Sequence, residues 1–377
     1  MDKEQNCDKK ISTDPRICLF SQRHLQRLVS RCAEYEFEDL ICEIDDAELL
    51  TPEPYRWFTI GQKLSNRLAR HLSVSFLNPG VRKLRLTRSY DLFVAICQFP
   101  SDLLSLNAIE GWRRRCQTSL CWLAEFWAGE MHKWKGHLNI LSQFDYVVIP
   151  CSGSVQPVKD VIGERCVYMP PGIDTIRFCP YPNPPIRCID VYSLGRRSPV
   201  THQALLKMAE QRKIFYVYDT ISRMDTFYPW QHRSLVANIA KRSRYFIANA
   251  PKIERQFETH GQSEISYRFM EGAASGTVMI GEPRENQVFR KYFDWPDVVI
   301  PVPYDTPNVA EVLADLDSQP ERLARIRKNN VINCLLRHDW VYRWRAILDM
   351  VGLEPRPGLL AREERLRKLA EQVQQAC

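Results

Sequence analysis

Short apolar segments of strand length alternate with longer helical patterns through nearly the whole chain, and this alternation constrains the fold more than any other feature. In the first half the strand candidates are Ile17–Phe20, Leu92–Cys97, Tyr146–Pro150 and Cys166–Met169. In the second half they are Cys188–Leu194, Ile214–Asp219, Tyr245–Ala250, Thr277–Gly281 and Val298–Val302. Helix-length patterns such as Ala108–Leu123, His202–Gln211 and Leu235–Arg242 lie between them. A strand followed by a helix and then a strand predicts a parallel sheet covered on both faces. Two such sets in series predict an α/β protein of two doubly wound domains, and 377 residues suffice for two separate cores. The division falls at Pro170–Pro185, where six of sixteen residues are proline. Such a stretch excludes a helix and reads as a stiff extended linker. The expected layout is residues 1–170, a linker over 171–186, a second domain over 187–335 and a helical, charged tail over 336–377.

Composition narrows the class. A charged fraction of 26% and a net charge of +7 describe a soluble globular chain able to meet an anionic ligand or membrane surface, though obliged to meet neither. Thirteen cysteines, odd in number and without a CxxC pair, fit neither a zinc site nor a disulfide scaffold. They read as small buried hydrophobes in a reducing compartment. The N-terminal MDKEQNCDKK lacks an apolar h-region, and no run approaches the roughly 18 apolar residues of a membrane span. The expected location is the cytoplasm.

Chemistry concentrates in Ser263–Glu282. Glu264, Arg268 and Glu271, at i, i+4 and i+7, predict one polar face of a short helix that ends at Gly276 against an apolar strand. At the junction of a helix and a parallel strand, such a stripe is either a nucleotide site or a surface ion-pair network. Gly195, Arg196 and Arg197 follow another strand; glycine permits close backbone approach, and guanidinium forks suit diphosphate oxygens. The alternative there is a solvated arginine pair. No GxGxxG is present, which argues against an ordinary dinucleotide cofactor.

The ordered series FDYVVIPCSGSV, YMPPGIDTIRF, IDVYSLGRRSP, SYRFMEGAASGTVMIGE and LLRHDWVYRW resembles the group 1 glycosyltransferases, most closely the family 4 type, over roughly Asp91–Leu348. The resemblance implies the GT-B fold: two Rossmann-like domains facing across a cleft, with C-terminal helices crossing back to the first domain. It implies hexosyl transfer from a nucleotide-diphosphate sugar to a hydroxyl on a glycan, lipid-linked or protein acceptor, with retention of configuration. No cofactor beyond the donor, no bound metal and no nucleic acid are expected. Arg196, Arg268 and Glu271 are the implied catalytic set. Gly195, Arg196, Arg197, Glu264, Arg268, Glu271, Ala274 and Ser275 are the implied donor contacts. Glu271 matches the family's ribose-binding glutamate; Glu264 stands one residue closer to it than the usual partner, and the GFG normally between them is replaced by ISYRFM. His24, Glu125 and His132 are acceptor-side candidates, and His338 reads as a packing or capping residue.

Three further expectations concern surfaces. Gly111–His137 holds five Lys/Arg, two Glu and four Trp, which fits either peripheral contact with the inner membrane face or an ordinary core. The pairs Glu38–Asp39 and Asp45–Asp46 read as an acidic surface. Glu321–Arg345, with seven Lys/Arg against two acids, motivates a nucleic-acid-binding module as one rival reading. The other rival is a non-catalytic GT-B-like protein that binds nucleotide sugar or glycan.

Overall fold

The computed structural model describes residues 14–220, 224–284 and 286–376, and these divide into two compact units. The first comprises 14–27, Phe37–Met169 and Trp344–Arg362; the second comprises Leu28–Glu36, Pro170–Arg343 and 363–376.

In the first unit, strands β1 (Ile17–Phe20), β2 (Ala47–Leu50), β4 (Tyr90–Cys97), β6 (Cys116–Leu123), β7 (Tyr146–Ile149) and β8 (Cys166–Tyr168) form a parallel sheet. Their order is β2-β1-β4-β6-β7-β8. A separate two-stranded ribbon pairs β3 (Leu84–Arg85) with β5 (Ile109–Glu110). Helices α1 (Cys32–Ile44), α2 (Phe58–Leu72), α3 (Lys135–Leu141) and α4 (Ser152–Ile162) belong to this half of the chain, although the first turn of α1 counts with the second unit. Every residue of β1 is buried, which is why ICLF shows no polar alternation.

Two expectations fail in this unit. Ala108–Leu123 carries β5, a turn of 3-10 helix over Trp112–Arg115 and then β6, rather than one helix. Leu120, Leu123 and Trp127 are spaced as a helix face would be, but Leu120–Leu123 are also an apolar run of strand length. Pairing with β4 over Tyr90↔Cys116 to Cys97↔Leu123, and with β7 on the other side, decides for the strand. Consequently Trp112, Trp122, Trp127 and Trp134 are all buried, and the Gly111–His137 run is core rather than a membrane face. The acidic pairs are only partly a surface, since Asp39 and Asp46 stay partly exposed while their neighbours Glu38 and Asp45 are buried. Asp45 lies under the sheet edge, accepting from Arg16 Nε at 2.9 Å and Trp344 Nε1 at 2.9 Å. Glu38 is fully buried against Ser21 and Arg23.

The second unit is built on a parallel sheet of order β10-β9-β11-β12-β13. Its strands are β9 (Ile189–Ser193), β10 (Tyr216–Tyr218), β11 (Ser243–Ile247), β12 (Val278–Gly281) and β13 (Ile300–Pro301). Helices α5 (Thr175–Phe178), α6 (Pro199–Glu210), α7 (Pro229–Lys241), α8 (Gln256–Thr259), α9 (Tyr267–Ala274), α10 (Gln287–Tyr292), α11 (Val309–Asp317) and α12 (Pro320–Arg337) surround it. Side chains alternate across the sheet as strand geometry requires. Val191, Tyr245 and Val278 pack with α6 and α11 on one face. Tyr192, Phe246 and Met279 pack with α7 and α9 on the other.

Pro170–Pro185 is not wholly extended. Asp174 caps the helical turn α5, and Ile173 and Phe178 are fully buried core residues. Proline forbids helix interiors, and α5 fits in the proline-free gap from Gly172 to Cys179. Helices α13 (Trp340–Val351) and α14 (Pro357–Gln375) end the described chain. Trp344–Arg362 counts with the first unit, where Trp344, Ile347, Leu348 and Leu359 are fully buried, whereas 363–376 counts with the second.

Candidate functional site

Strand β9 has β10 on one side and β11 on the other, so the chain steps from β9 out to β10 and then crosses back past β9 to β11. In an open α/β sheet the crevice outside the carboxyl end of such a strand is the usual ligand position. The chain emerges there as Leu194, Gly195, Arg196 and Arg197. Gly195 has φ +78, where a side chain is strained, and its N–H donates to Asp219 Oδ1 at 2.9 Å. A β-carbon at this position would collide with Nη2 of Arg268. Arg268 in turn donates from Nε to the Leu194 carbonyl at 2.7 Å. Gly195 and Arg268, expected to act on one donor, therefore meet.

The two neighbouring arginines divide their tasks. Arg197 donates to the Asp219 carboxylate at 3.1 Å and to its carbonyl, with the guanidinium 5.3 Å above the Tyr218 ring. It braces the loop. Arg196 is half exposed, with Glu254 at 3.6 Å, a separation that leaves its donors accessible to a ligand. Ser198 caps α6 through Thr201 N–H and donates to Asp305 Oδ1 at 2.6 Å. Beside this loop a crevice is lined by Ser193, Arg197, Ser198, His202, Asn249 and Tyr304, among others.

Helix α9 is shorter than expected. Ser266 is its N-cap, and Ser263 instead donates to the Arg284 carbonyl at 3.3 Å. Glu264 therefore precedes the helix, where it accepts from Gln262 Nε2 at 2.7 Å, and the predicted Glu264–Arg268–Glu271 stripe does not form. Arg268 reaches the β9 loop, whereas Glu271 points to α7 and forms a buried ion pair with Arg233. Arg233 Nε also donates to Glu36 Oε2 at 2.9 Å, so one guanidinium bridges two carboxylates, and all three residues are buried. Burial opposes the charge on Arg233, yet Glu36 and Glu271 outweigh it and raise its pKa. Next to this triad, Tyr267 Oη donates to Glu34 at 2.9 Å, and burial pushes the Glu34 carboxyl up to about 7.

Ala274 and Ser275 are corrections. Both are fully buried at the carboxyl end of α9, and Ser275 donates to the Glu271 carbonyl, so neither faces a donor. Within the same small-residue run, Gly272 permits close packing, since a β-carbon there would lie 2.6 Å from Met279 Sδ.

The acceptor-side candidates lie in the first unit, in segments that follow the carboxyl ends of strands on one sheet. His24 follows β1 and is exposed; Glu125 follows β6 and accepts from Trp127 Nε1 at 2.9 Å; His132 is exposed in the turn Ala128–Trp134. With β4 between β1 and β6, they share an edge. His338 is a buried packing residue stacked on Phe293.

Asp219, Arg233 and Glu36 escaped the sequence reading. Asp219 was legible as the polar residue ending a strand candidate. Arg233 and Glu36 carried no signal, because 197 residues separate partners that only folding joins.

Residues 202–349, rather less than half of the chain, match the family described as glycosyl transferase-like. An α-glucosyltransferase solved with UDP and a 13-mer DNA shares 10% identity and a TM-score of 0.51, over 89% of this chain and 99% of that one. HepE of Anabaena, solved with UDP-glucose, shares 12% identity and a TM-score of 0.51 over the same fractions. At these identities the likeness is one of fold. No curated protein matches the sequence.

Proposed function

We propose that this chain, which has the GT-B fold, is a group 1-like glycosyltransferase that carries out retaining, metal-independent transfer of a hexosyl group from a nucleoside-diphosphate sugar to a hydroxyl of a glycan, lipid-linked or other glycoconjugate acceptor. The observation that carries this reading is the meeting of Gly195 and Arg268 outside the carboxyl end of β9, with the half-exposed Arg196 next in the same loop. Arg196 and Arg268 offset the charge of the departing diphosphate, the task a metal ion performs elsewhere, and charge-assisted hydrogen bonds of this kind contribute roughly 1.5–3 kcal/mol each. Glu271, oriented by Arg233, holds the donor ribose. In the transfer, the C1–oxygen bond to the diphosphate breaks and a C1–oxygen bond to the acceptor forms on the same face of the sugar. The acceptor hydroxyl proton passes to a diphosphate oxygen, so no protein base is required. No cofactor takes part beyond the donor.

Thermal-shift titration against UDP, GDP, ADP and CMP tests the donor site. A ligand at about a hundred times its dissociation constant adds about 2.7 kcal/mol of stability. Replacing Arg196→Ala together with Arg268→Ala should abolish the shift; a full response in the double variant would overturn the assignment. Turnover of a labelled nucleotide sugar in EDTA, with the product anomer read by NMR, separates this enzyme from a non-catalytic binding protein and from a metal-dependent or inverting one. Oligonucleotides belong among the acceptors assayed, because the α-glucosyltransferase of the same fold was solved with DNA.

A further inference from the structure

Residues 51–90 hold eight Lys/Arg and one acid, Glu53, a surplus equal to the formal net charge of +7 of the whole chain. All eight cations (Arg56, Lys63, Arg67, Arg70, Arg82, Lys83, Arg85 and Arg88) are exposed. Helix α2 organises this segment. Phe58, Ser65 and Ala69 face inward, and Gly136 of α3 packs so closely that a β-carbon there would meet the Ala69 backbone. The outward face, at i, i+4, i+7 and i+11, reads Ile60, Leu64, Arg67 and His71, with Lys63 and Arg70 beside it. Ile60 is 72% exposed, Leu64 56%, Leu72 66% and, just past the helix, Phe76 75%.

Isolated exposed leucines need no explanation, but Ile60 and Leu64, one turn apart on a single face among cations, do. The aromatic entry to the helix is held in place as well. Trp57 stacks on Tyr55 at 5.9 Å and lies over Gly61 and Gly80, where any β-carbon would strike its ring, yet it stays 52% exposed. Arg82 sits 5.8 Å above Tyr55.

We infer that α2 and its flanking segments dock the protein peripherally onto an anionic lipid bilayer, with Trp57, Ile60, Leu64 and Phe76 entering the headgroup–acyl boundary and the surrounding Lys and Arg meeting lipid phosphates. Helices with this composition lie in the interface plane, and tryptophan and tyrosine favour the same depth. A nucleic acid would satisfy the cations but offers nothing to Ile60, Leu64 or Leu72, so the apolar half of the face selects lipid. No helix among the described residues is long and apolar enough to cross a membrane, which makes the contact peripheral for them.

The four tryptophans of Gly111–His137 are buried and take no part in this surface, although Arg70 lies 4.2 Å over the Trp134 ring, and the inference does not rest on the transferase reading. Co-sedimentation of the full chain with vesicles tests it. Equimolar phosphatidylcholine–phosphatidylglycerol vesicles should bind the protein, pure phosphatidylcholine vesicles should bind it at least tenfold less, and added salt should weaken binding. Ile60→Ser with Leu64→Ser, and separately Lys63→Glu with Arg67→Glu, should each lower partitioning about tenfold or more. Both double variants should melt as cooperatively as the wild type, which shows that they fold. Three results would overturn the inference: no preference for anionic vesicles; undiminished binding by the Ile60/Leu64 variant; or tighter binding to a duplex oligonucleotide than to vesicles. Loss of the UDP response in the wild-type chain would count against the donor site alone.

Discussion

Arg233 shows how one side chain fixes the chemistry of another. Its guanidinium bridges Glu36 and Glu271 in a site where none of the three is solvated. A carboxylate left alone in such surroundings pays for its desolvation with no compensating charge, so removing one partner is far worse than replacing the whole set. Arg233→Ala should destabilise the fold by about 3–5 kcal/mol in urea unfolding. Arg233→Lys keeps the charge without the fork and should recover part of that stability. Under the proposed function, it should raise the donor KM more than it lowers kcat. Equal stability of Arg233→Ala and wild type would show that the bridge carries no net charge pairing.

At the scale of elements, the loop after β9 and the start of α9 form one structure although Leu194 and Arg268 stand 74 positions apart. Gly195 is required twice over, by its positive φ and by the space that Arg268 occupies. Gly195→Ala should cost about 1 kcal/mol in backbone strain and displace Arg268, weakening nucleoside-diphosphate affinity about tenfold. Calorimetric titration reads this directly, and unchanged affinity would dissociate the loop from the donor. The sequence predicted both strand and helix, but misplaced the helix start by giving Glu264 a place on it. Ser263 and Ser266 are equivalent caps on paper. In the fold Ser266 begins the helix by accepting the Arg268 N–H, and the Ser263 hydroxyl donates to the Arg284 carbonyl instead.

For the whole molecule, two parallel sheets of six and five strands place Gly195 and Arg196 at the carboxyl edge of one, where Arg268 meets Gly195, and the acceptor-side candidates after carboxyl ends of the other. Hydrogen exchange with and without UDP should therefore show protection concentrated in Leu194–Ser198 and Ser263–Arg268. Protection confined to β1, β4 and β6 of the first unit would move the nucleotide to the other sheet.

The sequence by itself determined the α/β class, the positions of most strands along the chain and the location of Gly195 and Arg196 just after one of them. These features are written in local periodicity and in the few backbone conformations that glycine and proline permit. Only the tertiary structure decided that Cys116–Leu123 is a central strand, that Ala274 and Ser275 are core, and that Glu271 answers to Arg233 and Glu36. Each of those outcomes turns on a partner distant in sequence, and pairing, burial and charge compensation act through space, where local pattern has no reach.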